Sequence, residues 1–288
     1  MSWERAERAD LPRLLALARE REWRSVPFSS RLRPPRADGG AALPSRLEAT
    51  VLLDRTGSEG GAALLLTAGG LLLPLLAAPG LPEPAFPAWK GLLRSLHSVM
   101  GPLREVRWVE HGLPLPPHLS IDYHLMVLER EDHLRLREEQ KPALPGLLLR
   151  QARPGDARAL YPLQRDYELE EVLIEPGHFD PQACLANLRS TLRKQIVFLA
   201  EQGGRPLSKA GTNARGFEVD QIGGVFTVEG ERGRGIANQV MRLLLEEIFR
   251  CKASACLFVK KNNGPAMALY RRLGFRALED YRISYFRA

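Results

Sequence analysis

The sequence has few cysteines, and none lies in a spacing typical of metal ligands. The chain of 288 residues has three cysteines, Cys184, Cys251 and Cys256, and this odd number does not allow all of them to pair. Neither a disulfide framework nor a metal site is therefore expected. The amino terminus mixes charges of both signs and lacks the apolar segment of a signal peptide. Together these absences predict a reduced, cytoplasmic location.

Long uncharged segments are also scarce. Residues 60–82 carry no charge, and a segment of that length could cross a bilayer. However, Gly69 and Gly70 lie midway between two short apolar runs, and Pro74 falls in the second run. This pattern predicts a hairpin between buried strands, so no membrane segment is expected.

Positive charge is in excess but is not clustered. The chain has 41 lysines and arginines against 34 acidic residues, a net charge of +7. The arginines are spread along the sequence rather than gathered in one run with aromatic residues between them, so a nucleic-acid partner is not predicted. The excess is expected to solvate the surface and to steer an anionic ligand to its site.

The common nucleotide-binding motifs are absent, yet one stretch is typical of anion binding. In residues 225–238 the glycines are not followed by the Gly-Lys-Ser/Thr of a P-loop, and the stretch lacks the Gly-x-Gly-x-x-Gly fingerprint of dinucleotide-binding proteins. Residues 225–238 nevertheless run from an apolar strand into a glycine-rich turn and a helix. The first amides of a helix have no intrahelical partner, so they attract phosphate groups. Gly233 and Gly235 let the backbone approach such a group.

Two motifs in this half of the chain resemble those of a known family. The first is Arg-x-x-Gly-x-Ala at residues 232–237. The second is Asn-x-x-Ala-x-x-x-Tyr-x-x-x-Gly-Phe at residues 263–275. In this order they resemble the acyl-CoA-binding segments of the GNAT superfamily of N-acetyltransferases, over roughly residues 145–288. The resemblance implies an α/β (α+β) fold with a mixed, mostly antiparallel sheet flanked by helices, and acetyl-CoA as co-substrate.

The resemblance also implies roles for individual residues. Tyr270 is the candidate general acid for the departing thiolate; the alternative is a core aromatic on its helix. Asn263 either contacts CoA or caps that helix. The backbone of the preceding strand would hold the pantetheine arm, and the glycine turn would hold the pyrophosphate. The residues of these two elements are Val225, Phe226, Thr227, Arg232, Gly233, Arg234, Gly235, Ile236, Ala237 and Asn238.

No carboxylate stands where many members of the family carry a catalytic glutamate. The corresponding positions, 221–224, read Gln-Ile-Gly-Gly. Glu218 and Asp220 lie earlier on the strand and either act through water or are solvated charges. Gly223 and Gly224 predict a bulge, which would open a slot for acyl-CoA.

An acidic run and one histidine fall in the region that lines the acceptor site in this family. They suit a cationic acceptor, although an acidic helix end is usually only solvated. The residues are Glu168, Glu170, Glu171 and His178.

The length predicts two tandem α/β domains, residues 1–140 and 141–288, joined by a linker-like segment at 129–146. The first half is predicted to form a helix over 10–21, a loop over 25–46, and strands at 49–53, 62–67 and 71–76. A helix over 89–100 and strands at 105–109 and 123–128 follow. This order of helices and strands resembles that of the GNAT superfamily. However, residues 78–84, which occupy the place of the glycine turn, lack Arg-x-x-Gly. The first half is interpreted as a degenerate GNAT-like domain, with an unrelated α/β cap as the alternative.

The functional hypothesis is transfer of an acetyl group from acetyl-CoA to a primary amine by direct attack in a ternary complex. No cysteine lies in the motif region, so no covalent intermediate is implied. The alternative is a non-catalytic acyl-CoA sensor. The acceptor and the oligomeric state stay open.

Overall fold

The fold is described from a computed structural model that covers residues 3–32, 41–45, 47–55, 61–77, 95–136, 144–174 and 176–287. Its strands are β1 (Trp3–Arg5), β2 (Ala49–Asp54), β3 (Ala62–Thr67), β4 (Leu71–Leu76), β5 (Ser98–Pro102), β6 (Leu119–Glu129), β7 (Leu148–Gln151), β8 (Val197–Gln202), β9 (Arg205–Arg215), β10 (Val219–Thr227), β11 (Ser254–Lys260) and β12 (Arg276–Tyr285). Its helices are α1 (Leu11–Glu20), α2 (Val26–Leu32), α3 (Leu103–Gly112), α4 (Arg130–Leu136), α5 (Ala157–Tyr167), α6 (Pro181–Lys194), α7 (Ile236–Ile248) and α8 (Gly264–Arg272).

All of these strands belong to a single 12-stranded sheet. Its order is β1-β2-β3-β4-β5-β12-β6-β11-β10-β9-β8-β7. The β4–β5 and β10–β11 pairs are parallel, whereas the other neighbours pair antiparallel. The predicted fold class, a mixed and mostly antiparallel sheet flanked by helices, is confirmed.

The two halves of the chain exchange their last strands. β6 closes the first half in sequence but pairs with β11 of the second half, over residues 123–129. β12 closes the second half but pairs with β5 of the first half. β6 and β12 also pair with each other in the middle of the sheet. Neither half therefore completes its sheet alone, and the boundary near residue 140 stays a prediction. The predicted linker lies partly outside the described residues.

The first half confirms the strands predicted from the uncharged region. β3 and β4 form the hairpin expected around Gly69 and Gly70. Their side chains are largely buried because the sheet is covered by helices. No helix among the described residues has the length and apolar character needed to span a bilayer.

The structure corrects the helix predicted over residues 89–100. Residues 98–102 form β5, and residues 78–94 lie outside the described residues, as does the segment 78–84 where the glycine turn was sought. β5 stays extended because it gains ladder hydrogen bonds from both β4 and β12.

Residues 105–109, predicted as a strand, belong to α3. In α3 the buried residues Glu105, Val106 and Val109 follow a helical rather than an alternating period. The predicted loop over 25–46 is also wrong at its start. Residues 26–32 form α2. The helix tolerates Pro27 because a proline in the first turn removes no intrahelical hydrogen bond, and it buries Val26, Phe28 and Leu32.

The second half follows the sequence prediction closely. α6 begins after Asp180, whose carboxylate accepts from the amides of Gln182 and Ala183. α5 continues into a π-type turn over Glu168–Val172. The apolar residues of α7 recur at three- and four-residue spacing and are buried against the sheet, with Val240, Met241, Leu244, Leu245 and Ile248 at 0% exposure.

A buried carboxylate ties the first half to the second. Glu22 follows α1, and its side chain accepts hydrogen bonds from the amides of Phe217 (2.7 Å), Glu218 (2.7 Å) and Val219 (3.1 Å). These amides belong to the β9–β10 turn. Lys252 donates to the Phe217 carbonyl of the same turn at 2.8 Å. The turn is therefore held by charged groups on both its amide and its carbonyl sides.

We predict that Glu22→Ala lowers the free energy of unfolding by about 3 kcal/mol, because it leaves three amides without their acceptor. Glu22→Gln keeps one acceptor oxygen, so its loss is expected to be smaller. Urea unfolding measures both. Glu131→Ala, which removes an exposed glutamate from α4, is the control and should change stability by less than about 0.5 kcal/mol. A Glu22→Ala variant as stable as this control would contradict the role of the Glu22 hydrogen bonds in joining the two halves.

Candidate active site

The candidate site begins where two parallel strands stop pairing. β10 and β11 pair from Val219 with Ser254 to Ile222 with Leu257. Immediately beyond, the pairing of β10 with β9 shifts between Gly223 and Phe226. Gly224 there has φ +61°, a conformation that favours glycine. The predicted bulge is confirmed, and it falls where the β10–β11 ladder ends.

Two side chains of β9 lie against this bulge. A Cβ at Gly223 would lie 1.9 Å from the side-chain nitrogen of Asn213, so a larger residue there would require Asn213 to move. The Lys209 ammonium donates to the Gly224 carbonyl at 2.9 Å and lies 4.5 Å from the ring centre of Tyr167. Burial lowers the pKa of Lys209 to about 8. The backbone at the bulge is therefore held from the β9 side.

The glycine turn opens α7 as expected. Gly233 and Gly235 have φ +78° and +82°, and Gly235 is the residue immediately before the helix. A Cβ at either glycine would meet no atom within 4 Å, so the turn faces open space. The first amides of α7 point to that space without intrahelical partners. This geometry fits a pyrophosphate group.

The arginines of the turn are held by neighbouring groups. Arg232 donates to the Thr227 carbonyl at 3.0 Å and pairs with Glu170 at 2.6 Å. Arg234 pairs with Glu231. Asn238 accepts from Arg242 at 2.9 Å. The backbone amides rather than these side chains are therefore the anion donors that this conformation presents.

A cavity of about 360 Å³ lies beside the bulge, and both halves of the chain line it. The second half contributes the strand ends, α8 and the turn after α5. The first half contributes α2, β4, β5 and β6. The lining side chains used below are Arg31, Tyr123, Tyr167, Glu171, Lys260, Asn263, Tyr270 and Tyr285.

Tyr270 lies in the wall of this cavity. Its ring is 7% exposed and packs edge-on against Phe275, with centroids 6.0 Å apart. Burial raises the pKa of its hydroxyl well above the usual value, and the nearby Tyr167 and Glu171 raise it further. The hydroxyl therefore stays protonated at neutral pH, as a general acid requires. Its edge-on packing also makes it a core aromatic.

Asn263 caps the amino-terminal end of α8, as one of the two alternatives predicted. Its side-chain oxygen accepts from the Ala266 amide at 3.1 Å, and its side-chain nitrogen lies 3.4 Å from Glu171. Since it also lines the cavity, the cap and a ligand contact are compatible.

Of the acidic run, Glu171 lines the cavity. It pairs with Lys260 at 3.0 Å. Glu168 accepts from Gln164 on α5, and Glu170 is occupied by Arg232. His178 is exposed and does not line the cavity.

The two candidate bases, Asp220 on β10 and Glu218 in the turn before it, lie outside the cavity wall. Asp220 is fully buried and pairs with Arg215 at 3.3 Å and Lys252 at 3.5 Å, and Glu218 is exposed. Among the described lining residues, Glu171 is the one carboxylate.

Sequence reasoning did not find the first-half residues of the cavity. Arg31 and Tyr123 lie on α2 and β6, which reach the site only because the two halves share one sheet. Tyr167 and Lys209 were also missed. No motif marks them, since isolated tyrosines and lysines occur on many helices and strands.

Comparisons with known proteins agree with this geometry. The acetyltransferase (GNAT) family model matches residues 158–275. A solved structure from Drosophila superposes with a TM-score of 0.63 at 14% identity, covering 99% of this chain and 98% of that one. A tandem GNAT protein from the clavulanic acid biosynthesis pathway gives 0.56 at 13% identity, covering 98% and 97%.

A GNAT-family acetyltransferase from Colwellia psychrerythraea gives a TM-score of 0.53 at 13% identity and covers 100% of both chains. A search of curated proteins found no significant match. At these identities the solved structures show the fold alone. The family model thus identifies a GNAT-type domain over residues 158–275, and the solved structures show that the chain has the fold of a tandem GNAT protein.

Proposed function

We propose that this protein is an acyl-CoA-dependent N-acyltransferase that moves an acetyl group from acetyl-CoA to a primary amine. Acetyl-CoA-dependent acetyl transfer is the general activity of the GNAT family. The observation that carries the proposal is the slot at the end of the β10–β11 ladder. It runs beside the bulge at Gly224 and adjoins a cavity that contains Tyr270.

The glycine turn and the strand end would hold the co-substrate. Amides of the turn at 233–238 would bind the pyrophosphate, aided by the positive end of the α7 dipole. Backbone groups of Val225, Phe226 and Thr227 would bind the pantetheine arm and the thioester oxygen. Because the ladder to β11 has ended there, these backbone groups are not used by strand pairing on that side.

Two side chains would manage the protons. Tyr270 would donate its proton to the departing thiolate, since burial keeps the hydroxyl protonated. Glu171 would orient the amine and accept its proton, because it is the carboxylate in the described cavity wall.

Direct attack by the amine is favoured over a cysteine intermediate. Burial raises the pKa of Cys184 to about 12 and that of Cys256 well above its usual value. Cys251 is exposed, and none of the three cysteines lines the cavity. A thiolate nucleophile is therefore unavailable at the thioester.

The alternative is a non-catalytic acyl-CoA sensor. It is favoured by one observation: β10 lines the cavity with Gln221, Gly223 and Gly224 and offers no carboxylate there. A sensor would bind acetyl-CoA without releasing CoA when a broad panel of amines is added.

We predict that Gly235→Val weakens CoA binding at least 100-fold, because a β-branched side chain is strained at φ +82° and would occupy the space before α7. Calorimetric titration of CoA measures the loss. Gly230→Val is the matched control, since Gly230 lies in the same loop in open space without a positive φ. Equal affinities for the two variants would refute the role of the turn, provided that both melt near the wild-type temperature.

Tyr270→Phe is expected to lower kcat about 100-fold while the Kd of CoA changes less than about twofold, because the hydroxyl acts only as the thiolate leaves. Steady-state kinetics and calorimetry give the two quantities. Tyr281→Phe removes a hydroxyl from another buried tyrosine, outside the cavity wall, and should leave kcat unchanged. Normal turnover by the Tyr270 variant would show that another group is the acid.

A further inference from the structure

The first half of the chain supplies an arginine to the cavity. Arg31 lies on the last turn of α2, a helix that packs against β9 and β10. With Pro27 of the same helix, it forms part of the cavity wall. The residues of the glycine turn do not line this cavity, so Arg31 is remote from the proposed pyrophosphate site.

The charges in the cavity wall do not balance. Its charged residues among the described part of the chain are Arg31, Glu171 and Lys260. Glu171 and Lys260 pair with each other at 3.0 Å. No described carboxylate lies within ion-pair distance of Arg31, whose guanidinium donates to the Pro27 carbonyl of its own helix. Among the described residues of the wall, one positive charge therefore has no acidic partner.

Burial makes this surplus charge significant. It lowers the pKa of Arg31. A guanidinium has five N–H donors in a planar fork that matches a carboxylate or a phosphate. A half-buried arginine without an acidic partner among the described residues is stabilised when a ligand supplies the anion.

Two tyrosines in the same wall add hydrogen-bond donors. Burial raises the pKa values of Tyr123 and Tyr285, so both hydroxyls stay protonated at neutral pH. A protonated hydroxyl can donate a hydrogen bond to an anion beside Arg31. The acidic run that suggested a cationic acceptor contributes only Glu171 here. Glu171 pairs with Lys260 and is the proposed proton acceptor for the reacting amine, so it is not assigned to a second cationic group of the acceptor.

We infer that the acceptor is a small amine that carries an anionic group, a carboxylate or a phosphate, and that Arg31 binds this group. The inference rests on the proposed function, because it names the acceptor class of the same site. A cavity of about 360 Å³ suits an amino-acid-sized molecule rather than a folded partner. Arg31 is thus a specificity-determining residue, and polyamines and aminoglycosides are disfavoured as acceptors.

The test compares matched amines with acetyl-CoA as donor. β-Alanine and its amide differ in the carboxylate, while phosphoethanolamine and ethanolamine differ in the phosphate. We expect the anionic member of at least one pair to have a kcat/KM about 100-fold higher, and the pair identifies the group. Arg31→Met should remove this preference while leaving the neutral amine and the Kd of CoA unchanged. Arg31→Lys should retain part of it.

Arg158→Met, which removes an exposed arginine from α5, is the control and should keep the preference. Equal use of both members of each pair would overturn the inference and leave the proposed function standing. A preference that survives in Arg31→Met would overturn it too.

If wild-type protein acylates no amine, the proposed function fails, and binding decides the role of Arg31 separately. β-Alanine and phosphoethanolamine are then titrated into the CoA complex. Binding that is lost in Arg31→Met supports the inference, and absence of binding, or binding indifferent to the substitution, overturns it.

Discussion

The pairing of β6 with β11 and β12 is the interaction on which the rest of the structure depends. β6 contributes a run of buried residues, Leu125, Met126, Val127 and Leu128, to the centre of the sheet. Because β6 comes from the first half and β12 from the second, the ladder hydrogen bonds between them join the halves into one sheet. The same pairing brings Tyr123 and Tyr285 into one cavity wall. The first half thus contributes to the wall of the cavity, where we propose that the acceptor binds, although it carries none of the acyl-CoA motifs.

The site lies where the regular pairing of that continuous sheet is interrupted. The β10–β11 ladder ends at Ile222 and Leu257, and the bulge at Gly224 separates the strand ends beyond. Lys209 on β9 donates to the Gly224 carbonyl, so the opening is supported by the fold rather than being a frayed edge. Its backbone groups face a slot instead of a neighbouring strand.

Much of the second half could be predicted from the sequence because its signals are local. The glycine turn, the apolar stripe of α7, the Asp180 cap and the bulge at Gly223 and Gly224 each depend on residues close together in the chain. The errors in the first half have a different origin. Residues 98–102 form a strand because β4 and β12 flank them, and β12 is far away in sequence. Short amphipathic segments such as residues 105–109 fit both the helical period of 3.6 residues and the strand period of two. Which of the two forms depends on how the segment is buried against the sheet.

The functional residues divide in the same way. The turn at 232–238 and Tyr270 carry motif signals, whereas Arg31, Tyr123 and Lys209 acquire their environment only through the fold. The absence of a carboxylate at 221–224 was visible in the sequence. That Glu171 lines the cavity while Asp220 pairs with Arg215 and Lys252 was not, since it depends on where the turn after α5 lies relative to the strand ends.

The central claim is that acyl-CoA lies along the slot between β10 and β11. A crystal structure of the protein with acetyl-CoA tests it most directly. The account predicts the pyrophosphate on the amides that follow Arg232, the pantetheine arm beside Val225 and Thr227, and the thioester sulfur within hydrogen-bond reach of the Tyr270 hydroxyl. Acetyl-CoA bound elsewhere on the sheet, with its pyrophosphate away from the start of α7, would contradict the account.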